Sequence, residues 1–220
     1  MKHEFIRTHI TATPFDNPHI KRIIGHEMNH QNKLRQRRIT ICDPFARESF
    51  TTSAPQGLTC ITNDINPEMP THYHLEAHDF ARLMVSQGQE FDLILWDPPY
   101  NLSQLKRQYE GIGKELEYWQ TLSPFGEAKD IISRCLKPGG SIVSFGFGSR
   151  CGFGENRGLT RMAIYNLEPA GTENRYNIQV VVERKLQHQL MNIQSKQPSD
   201  TDEESLQRLN HRFDFNQSLF

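Results

Sequence analysis

Residues 91–100 read FDLILWDPPY and leave the backbone little choice. Leu93, Ile94, Leu95 and Trp96 form an apolar run of strand length that ends in Asp97. Pro98 and Pro99 then forbid further ladder pairing or helix, because neither has an N–H to donate and both fix φ. An acid is thereby placed on a stiff turn at the carboxyl end of a strand. In an open parallel α/β sheet that edge is where ligands bind.

The surrounding chain supplies the sheet. Short strand patterns occur at 38–45 (RITICDPF), 57–64 (GLTCITND), 74–80 (HLEAHDF), 91–96 and 141–147 (SIVSFGF), with two more β-rich segments at 161–167 and 176–183. Helical patterns cover 18–38 and 124–136, the second stopped by Lys137-Pro138-Gly139-Gly140. Residues 1–17 read as irregular, broken by Pro14 and Pro18, and 101–119 as a connecting loop with Gly111 and Gly113 as hinges. Strands alternating with crossovers predict a doubly wound, mostly parallel α/β sheet of seven-stranded type with an antiparallel C-terminal strand. The expected organisation is an arm and basic helix over 1–37, a catalytic domain over 38–185, and a polar, disordered tail over 186–220.

With 220 residues and a formal charge of -1, the chain is one domain's worth of sequence whose nucleic-acid contacts would need local basic patches. The four cysteines, Cys42, Cys60, Cys135 and Cys151, show no framework or C-x-x-C spacing and read as reduced thiols of a cytoplasmic protein. No apolar run approaches the roughly 18 residues a membrane span needs, so no membrane partner is expected.

Asp97-Pro98-Pro99-Tyr100 resembles the signature of amino-group methyltransferases that use S-adenosyl-L-methionine, above all the DNA adenine-N6 enzymes. Acids fall at further strand ends, Asp43 and Asp64, with Asp79 after the third element, and together they resemble the class I methyltransferase plan over about residues 38–185. Asp43-Pro44-Phe45-Ala46-Arg47, Thr62-Asn63-Asp64, Asp79-Phe80 and Arg157-Gly158 are similar to a small phage-like subgroup of those enzymes. The resemblance implies that Asp43, Pro44, Phe45 and Ala46 wrap the methionine part of the cofactor, with Arg47 on its carboxylate. It further implies Asp64 on the ribose hydroxyls and Asp79 with the Phe80 backbone on the adenine amine. Most adenine methyltransferases follow Asp-Pro-Phe with small residues that let bare backbone approach the cofactor; Arg47 and Glu48 depart from that form.

The implied chemistry is transfer of a methyl group to adenine N6, with Asp97 and a carbonyl near Pro98 accepting the amine hydrogens and Tyr100 stacking on the base. The expected partner is duplex DNA with the adenine flipped out. RNA, a protein amide, or a non-catalytic nucleic-acid-binding module on the same fold are the alternatives. Lys106, Arg107 and Tyr109 in the 101–119 segment, with Arg150 and Arg157 in a flexible glycine-rich turn at 146–158, are the candidate substrate contacts. The basic cluster Lys33, Arg35, Arg37 and Arg38 reads either as cations answering a helix dipole or as phosphate contacts. His26-Glu27-Met28-Asn29-His30 matches H-E-x-x-H, but no third ligand follows, and a solvated basic helix is the better account, with no metal expected.

Overall fold

In a computed structural model, the described residues are 1–10, 14–52, 58–117, 125–148, 151–170 and 177–186. Of the expected tail at 186–220, only Leu186 is among them. All described residues belong to one compact unit, Met1–Leu186.

Seven strands make a single mixed sheet: β1 (Lys2–Thr8), β2 (Thr40–Asp43), β3 (Thr59–Thr62), β4 (Phe91–Trp96), β5 (Leu136–Gly146), β6 (Thr160–Pro169) and β7 (Ile178–Arg184), in the order β1-β6-β7-β5-β4-β2-β3. β3, β2, β4 and β5 are mutually parallel, and β7 is inserted antiparallel between β5 and β6. This is a doubly wound, Rossmann-like, mostly parallel α/β plan. The predicted antiparallel C-terminal strand is β7.

The helices are α1 (Pro18–Arg35), α2 (Ala77–Ser86), α3 (Leu102–Gly111) and α4 (Gly126–Ile132), the last continued by a 3-10 turn over Ser133–Cys135. α1 starts where its chemistry dictates. Asn17 accepts from the His19 and Ile20 N–H groups, and Pro18 stands where its missing N–H costs nothing. Ile20, Ile23 and Ile24 pack onto one sheet face with Ile41, Leu93, Leu95 and Val143. Phe80, Ala81 and Met84 of α2 and Ala128 and Ile132 of α4 cover the other face with Ile94, Trp96 and Ile142. β4 is buried at all six positions because alternate side chains enter different cores, which is why it reads as a continuous apolar run.

Four expectations are corrected. Residues 2–8 form an edge strand, with Ile6 and Thr8 buried and a full parallel register to β6, so the N-terminal segment belongs to the sheet. No strand forms at 74–80. Ala77, Phe80, Ala81 and Met84 are buried at i, i+3, i+4, i+7, a helical period, and α2 takes the segment. The 101–119 loop contains α3, capped by Asn101, with Leu105 and Tyr109 buried one turn apart. Leu136-Lys137-Pro138-Gly139-Gly140 opens β5: the Gly139 N–H donates to the Lys185 carbonyl at 2.6 Å, tying the segment to the end of β7.

The basic cluster also finds its use. Asp92, fully buried in β4, accepts from both terminal nitrogens of Arg37 at 3.1 Å and from the Thr40 N–H at 2.9 Å. Arg35 Nε lies 2.9 Å away and Lys137 Nζ 3.7 Å. Arg35 and Arg37 thus neutralise a buried carboxylate at the amino-terminal edge of β4, opposite to Asp97. Glu27 of the H-E-x-x-H segment is buried and accepts from Arg184 at 2.9 and 3.0 Å and from the Ser141 hydroxyl at 2.9 Å. It anchors α1 to β5 and β7.

Candidate active site

Parallel pairing brings Asp43, Asp64 and Asp97 to one edge, because β2, β3 and β4 all end there. The chain passes from β2 outward to β3 and returns to β4 on the other side of β2, so this edge contains a topological switch point. A cavity of about 430 Å³ opens at it, within the range of small-molecule sites. Its walls are the segments after β2 (Pro44, Phe45, Arg47), after β3 (Asn63, Asp64, Ile65), before α2 (Leu75, Glu76) and after β4 (Asp97 to Tyr100), with Gln104, Arg107 and Tyr109 from α3.

Asp43 builds the wall from behind. It is fully buried, and its carboxylate accepts from the Phe45 N–H at 3.3 Å, the Ser49 hydroxyl at 3.2 Å and the Thr51 hydroxyl at 2.7 Å. Burial pushes its carboxyl up to about 6, against the pull of those three donors. Ala46 is buried too, its N–H donating to the Asn63 carbonyl at 2.9 Å. Of the five residues assigned to this loop, Pro44, Phe45 and Arg47 line the cavity, whereas Asp43 and Ala46 hold its shape.

Arg47 has φ 48°, a left-handed conformation that non-glycine residues seldom adopt and that clusters at functional positions. Its charge acts on both Asp64 and Asp97, holding each below where burial alone would put it. Asp64 also accepts from the Asn66 N–H at 2.8 Å, and burial nevertheless raises its carboxyl above the ordinary range.

Asn63 is a structural residue that the motif reading passed over. Buried, it donates to the Pro44 carbonyl at 3.1 Å and the Leu75 carbonyl at 3.0 Å and accepts the Leu75 N–H at 2.9 Å. One amide thereby ties together three of the loops that form the cavity. The available signal was its place between a strand and an acid, in a type whose side chain mimics a peptide group.

Asp97 accepts the Tyr100 phenol at 2.6 Å. Burial pushes the Asp97 carboxyl up to about 7; Asp43 adds to the rise, while the Tyr100 bond and Arg47 oppose it. Burial and the neighbouring Asp97 raise the Tyr100 phenol, so it stays a donor. The Tyr100 ring leans on Phe147, centroids 4.9 Å apart. Pro98 and Pro99 line the same wall.

The two residues expected at the adenine amine lie away from the cavity. Asp79 lies on the outer side of α2, its side chain half exposed and paired with His78 at 3.3 Å and Arg82 at 3.8 Å. Phe80 is in the core. Because α2 begins at Ala77, neither lines the cavity; Glu76, just before the helix, does, and it accepts the Tyr109 phenol.

Among the substrate candidates, Arg107 and Tyr109 line the cavity. Lys106 is not part of the cavity wall and pairs with Glu110 at 3.6 Å. Arg157 pairs with Asp130 at 2.7 Å and donates to the Phe153 carbonyl, so it is a structural cation. Arg150 lies outside the described residues. The described part of the glycine-rich turn is held firmly. Glu183, buried in β7, accepts the Phe153 N–H at 2.6 Å and the Gly154 N–H at 3.0 Å, and the Phe153 ring packs on Trp96. All four cysteines are free and buried, and among the described residues no cluster could hold a metal ion and no helix is long and apolar enough to cross a membrane.

Neither protein-family models nor characterised proteins match the sequence. Solved structures similar to the chain include TrmN from Thermus thermophilus, at 15% identity over 72% of this chain and 48% of that one, with a TM-score of 0.44. Others are an N-methyltransferase, NodS from Bradyrhizobium japonicum (14%, 81% and 100%, TM-score 0.46), and an rRNA methylase from Streptococcus thermophilus (11%, 74% and 97%, TM-score 0.47). NodS has also been crystallised with S-adenosyl-L-homocysteine. The chain spans about half the length of TrmN, 48%.

Proposed function

We propose that this chain binds S-adenosyl-L-methionine in the switch-point cavity and transfers its methyl group to the N6 amine of adenine in DNA. The observation that carries the reading is Asp97, a hydrogen-bond acceptor fixed on a rigid Pro-Pro turn in the wall of a nucleoside-sized cavity.

The lining suits that cofactor. Arg47 is the cation for its carboxylate, Asp64 the acceptor for ribose hydroxyls, and Glu76 an acceptor beside the purine. Three carboxylates near one another, Asp43, Asp64 and Asp97, favour a cationic ligand. When bound, the cofactor supplies an electrophilic methyl group on a sulfonium.

The protein's own part is orientation. An exocyclic adenine amine is a weak nucleophile because its lone pair is delocalised into the ring. The Asp97 carboxylate and the Pro98 carbonyl, each accepting one N–H, would turn the nitrogen toward tetrahedral geometry and aim its lone pair into the cavity. After transfer the nitrogen carries a positive charge and an extra proton, and the Asp97 carboxylate is the base placed to take that proton. Positioning and charge placement supply most of the acceleration. The Tyr100 phenol holds Asp97 Oδ1 and leaves Oδ2 for the amine, the Tyr100 ring lies beside the base, and Arg107 in the cavity wall serves the target strand.

The test is incubation of purified protein with methyl-labelled cofactor and, separately, duplex DNA, single-stranded DNA, RNA and a protein extract. N6-methyladenine in DNA is the expected product, falling about 10³-fold in Asp97→Ala. Label in RNA or in protein amides would move the reading to those substrates. Cofactor binding without transfer to any of them would leave a binding module.

A further inference from the structure

We propose that Gln104 is a positioning residue for the amine-accepting end of the cavity, acting through the Tyr100 backbone on the Asp97–Tyr100 pair. The proposal rests on the methyl-transfer reading of the site and goes beyond the tetrapeptide itself.

Pro98 and Pro99 have no N–H, so Tyr100 carries the first backbone donor after Asp97. That donor is already engaged: it gives its hydrogen bond to Gln104 Oε1 at 2.8 Å. Gln104 in turn donates its own N–H to Asn101 Oδ1 at 2.9 Å. The pair resembles a capping box, except that the side chain reaching back from the third helical residue grips the residue before the cap instead of the cap itself. The displacement matters chemically. An ordinary box would secure only the start of α3, whereas this one secures the last residue of the turn that carries the acceptor.

The consequence follows from how little freedom the turn has. Both prolines fix φ, so the orientation of the Tyr100 peptide is a main adjustable element between Asp97 and the Tyr100 ring. Gln104 holds that peptide, and the ring lies where its phenol meets Asp97 Oδ1 at 2.6 Å and its face meets Phe147. Gln104 also lines the cavity itself, half-buried beside Leu105, and α3 is pinned further along by the Tyr109 phenol on Glu76. A helix that forms one wall of the site is therefore bonded directly to the residues that would orient the amine. Loss of Gln104 Oε1 frees the Tyr100 N–H for solvent and lets the phenol and the Asp97 carboxylate drift out of register.

Two substitutions separate this role from simple helix capping. Gln104→Met keeps length and bulk but accepts no hydrogen bond; Gln104→Glu keeps the acceptor and suits a helix N-terminus. In single-turnover transfer to an adenine-containing oligonucleotide, Gln104→Met is expected to slow the reaction about tenfold while S-adenosyl-L-homocysteine affinity, by calorimetry, stays within about twofold. Gln104→Glu is expected to recover the rate to within about threefold of wild type. A Gln104→Met rate equal to wild type, or a Gln104→Glu rate as low as that of Gln104→Met, overturns the proposal.

Hydrogen exchange at the Tyr100 amide, read by NMR in all three proteins, keeps the outcome independent of activity. Protection lost in Gln104→Met and retained in Gln104→Glu supports the lock even if wild type methylates nothing, in which case the methyl-transfer reading alone fails. Equal protection in all three overturns the lock whatever the activity.

Discussion

At the level of single residues the site is defined by groups whose ionisation the fold has moved. Asp97 is pushed up to about 7 by burial, so below neutral pH it carries a proton and can neither accept its amine hydrogen as a carboxylate nor take the proton released after transfer. The free-enzyme profile of kcat/KM is therefore expected to fall on the acid side with an apparent pKa near 7, whereas ordinary carboxylates would put that limb near 4. Stability runs the other way. A group raised in the folded state favours folding at low pH and loses that contribution as pH rises through about 7. Asp97→Asn keeps the Tyr100 contact and removes the ionisation, so it is expected to raise Tm at pH 8, by about 2–4 °C per kcal/mol released, and to leave it unchanged at pH 4, while transfer is lost. Thermal melts at the two pH values check the sign. Arg47 belongs to the same scale: its left-handed φ and its charge, felt by both Asp64 and Asp97, make Arg47→Ala a test of the cofactor's carboxylate. The variant is expected to weaken S-adenosyl-L-homocysteine about tenfold or more, and 5′-methylthioadenosine, which lacks that carboxylate, much less.

Loops and helices hold these residues in register, and the strongest ties are side chains imitating backbone. Asn63 joins the segment after β2, its own segment and the approach to α2 through Pro44 and Leu75. Asn63→Leu keeps the volume but strands these backbone groups in a buried place, at about 1–3 kcal/mol for each unsatisfied partner. The expected result is a lower urea midpoint together with weakened cofactor binding, since the cavity wall loosens before the sheet does. At the opposite edge, Asp92 gathers Arg35, Arg37 and Lys137 around the start of β4. Removing it leaves cations facing a buried position, and Asp92→Ala is expected to cost about 3–5 kcal/mol in denaturant melts. The two variants differ in kind: the first is expected to change ligand binding in the protein that remains folded, the second to act on stability alone.

Over the whole molecule, the sheet is completed by its first strand. β1 pairs with β6 along seven residues, and Ile6 enters the core that α1 covers. Deleting residues 1–8 would uncover the β6 edge and unseat Ile6, and light scattering is expected to show more association than in the full chain. The chain from β1 crosses by way of α1 to β2 near the other end of the sheet, so the N-terminal segment closes the fold as well as its edge.

Much of this was legible along the chain. Asp97 at the end of β4 followed from an apolar run stopped by two prolines, both of them local constraints on φ and on donors. β2, β3, β7 and the start of α1 followed in the same way, from strand composition and from a helical pattern that opens at Pro18. What tertiary structure alone decided was partnership. The edge strand at 2–8 depends on β6, more than 150 residues away, and buries only Ile6 and Thr8 of its seven residues, so it shows no sustained apolar alternation. α2 hid behind a strand-like histidine and leucine pattern until burial showed which positions shared a face. Asp79 and Asp64 look alike as acids near strand ends. Only the start of α2 at Ala77 turns the first outward to Arg82 and brings Glu76 to the cavity in its place. The basic residues at the end of α1 had two readings in the sequence, dipole cations or phosphate contacts, and Arg35 and Arg37 take up a third use against a buried Asp92, itself hidden inside a strand. Sequence determines where a backbone must turn; the three-dimensional packing determines which charges face each other across it, because Coulombic and hydrogen-bonded partners are chosen by distance in space.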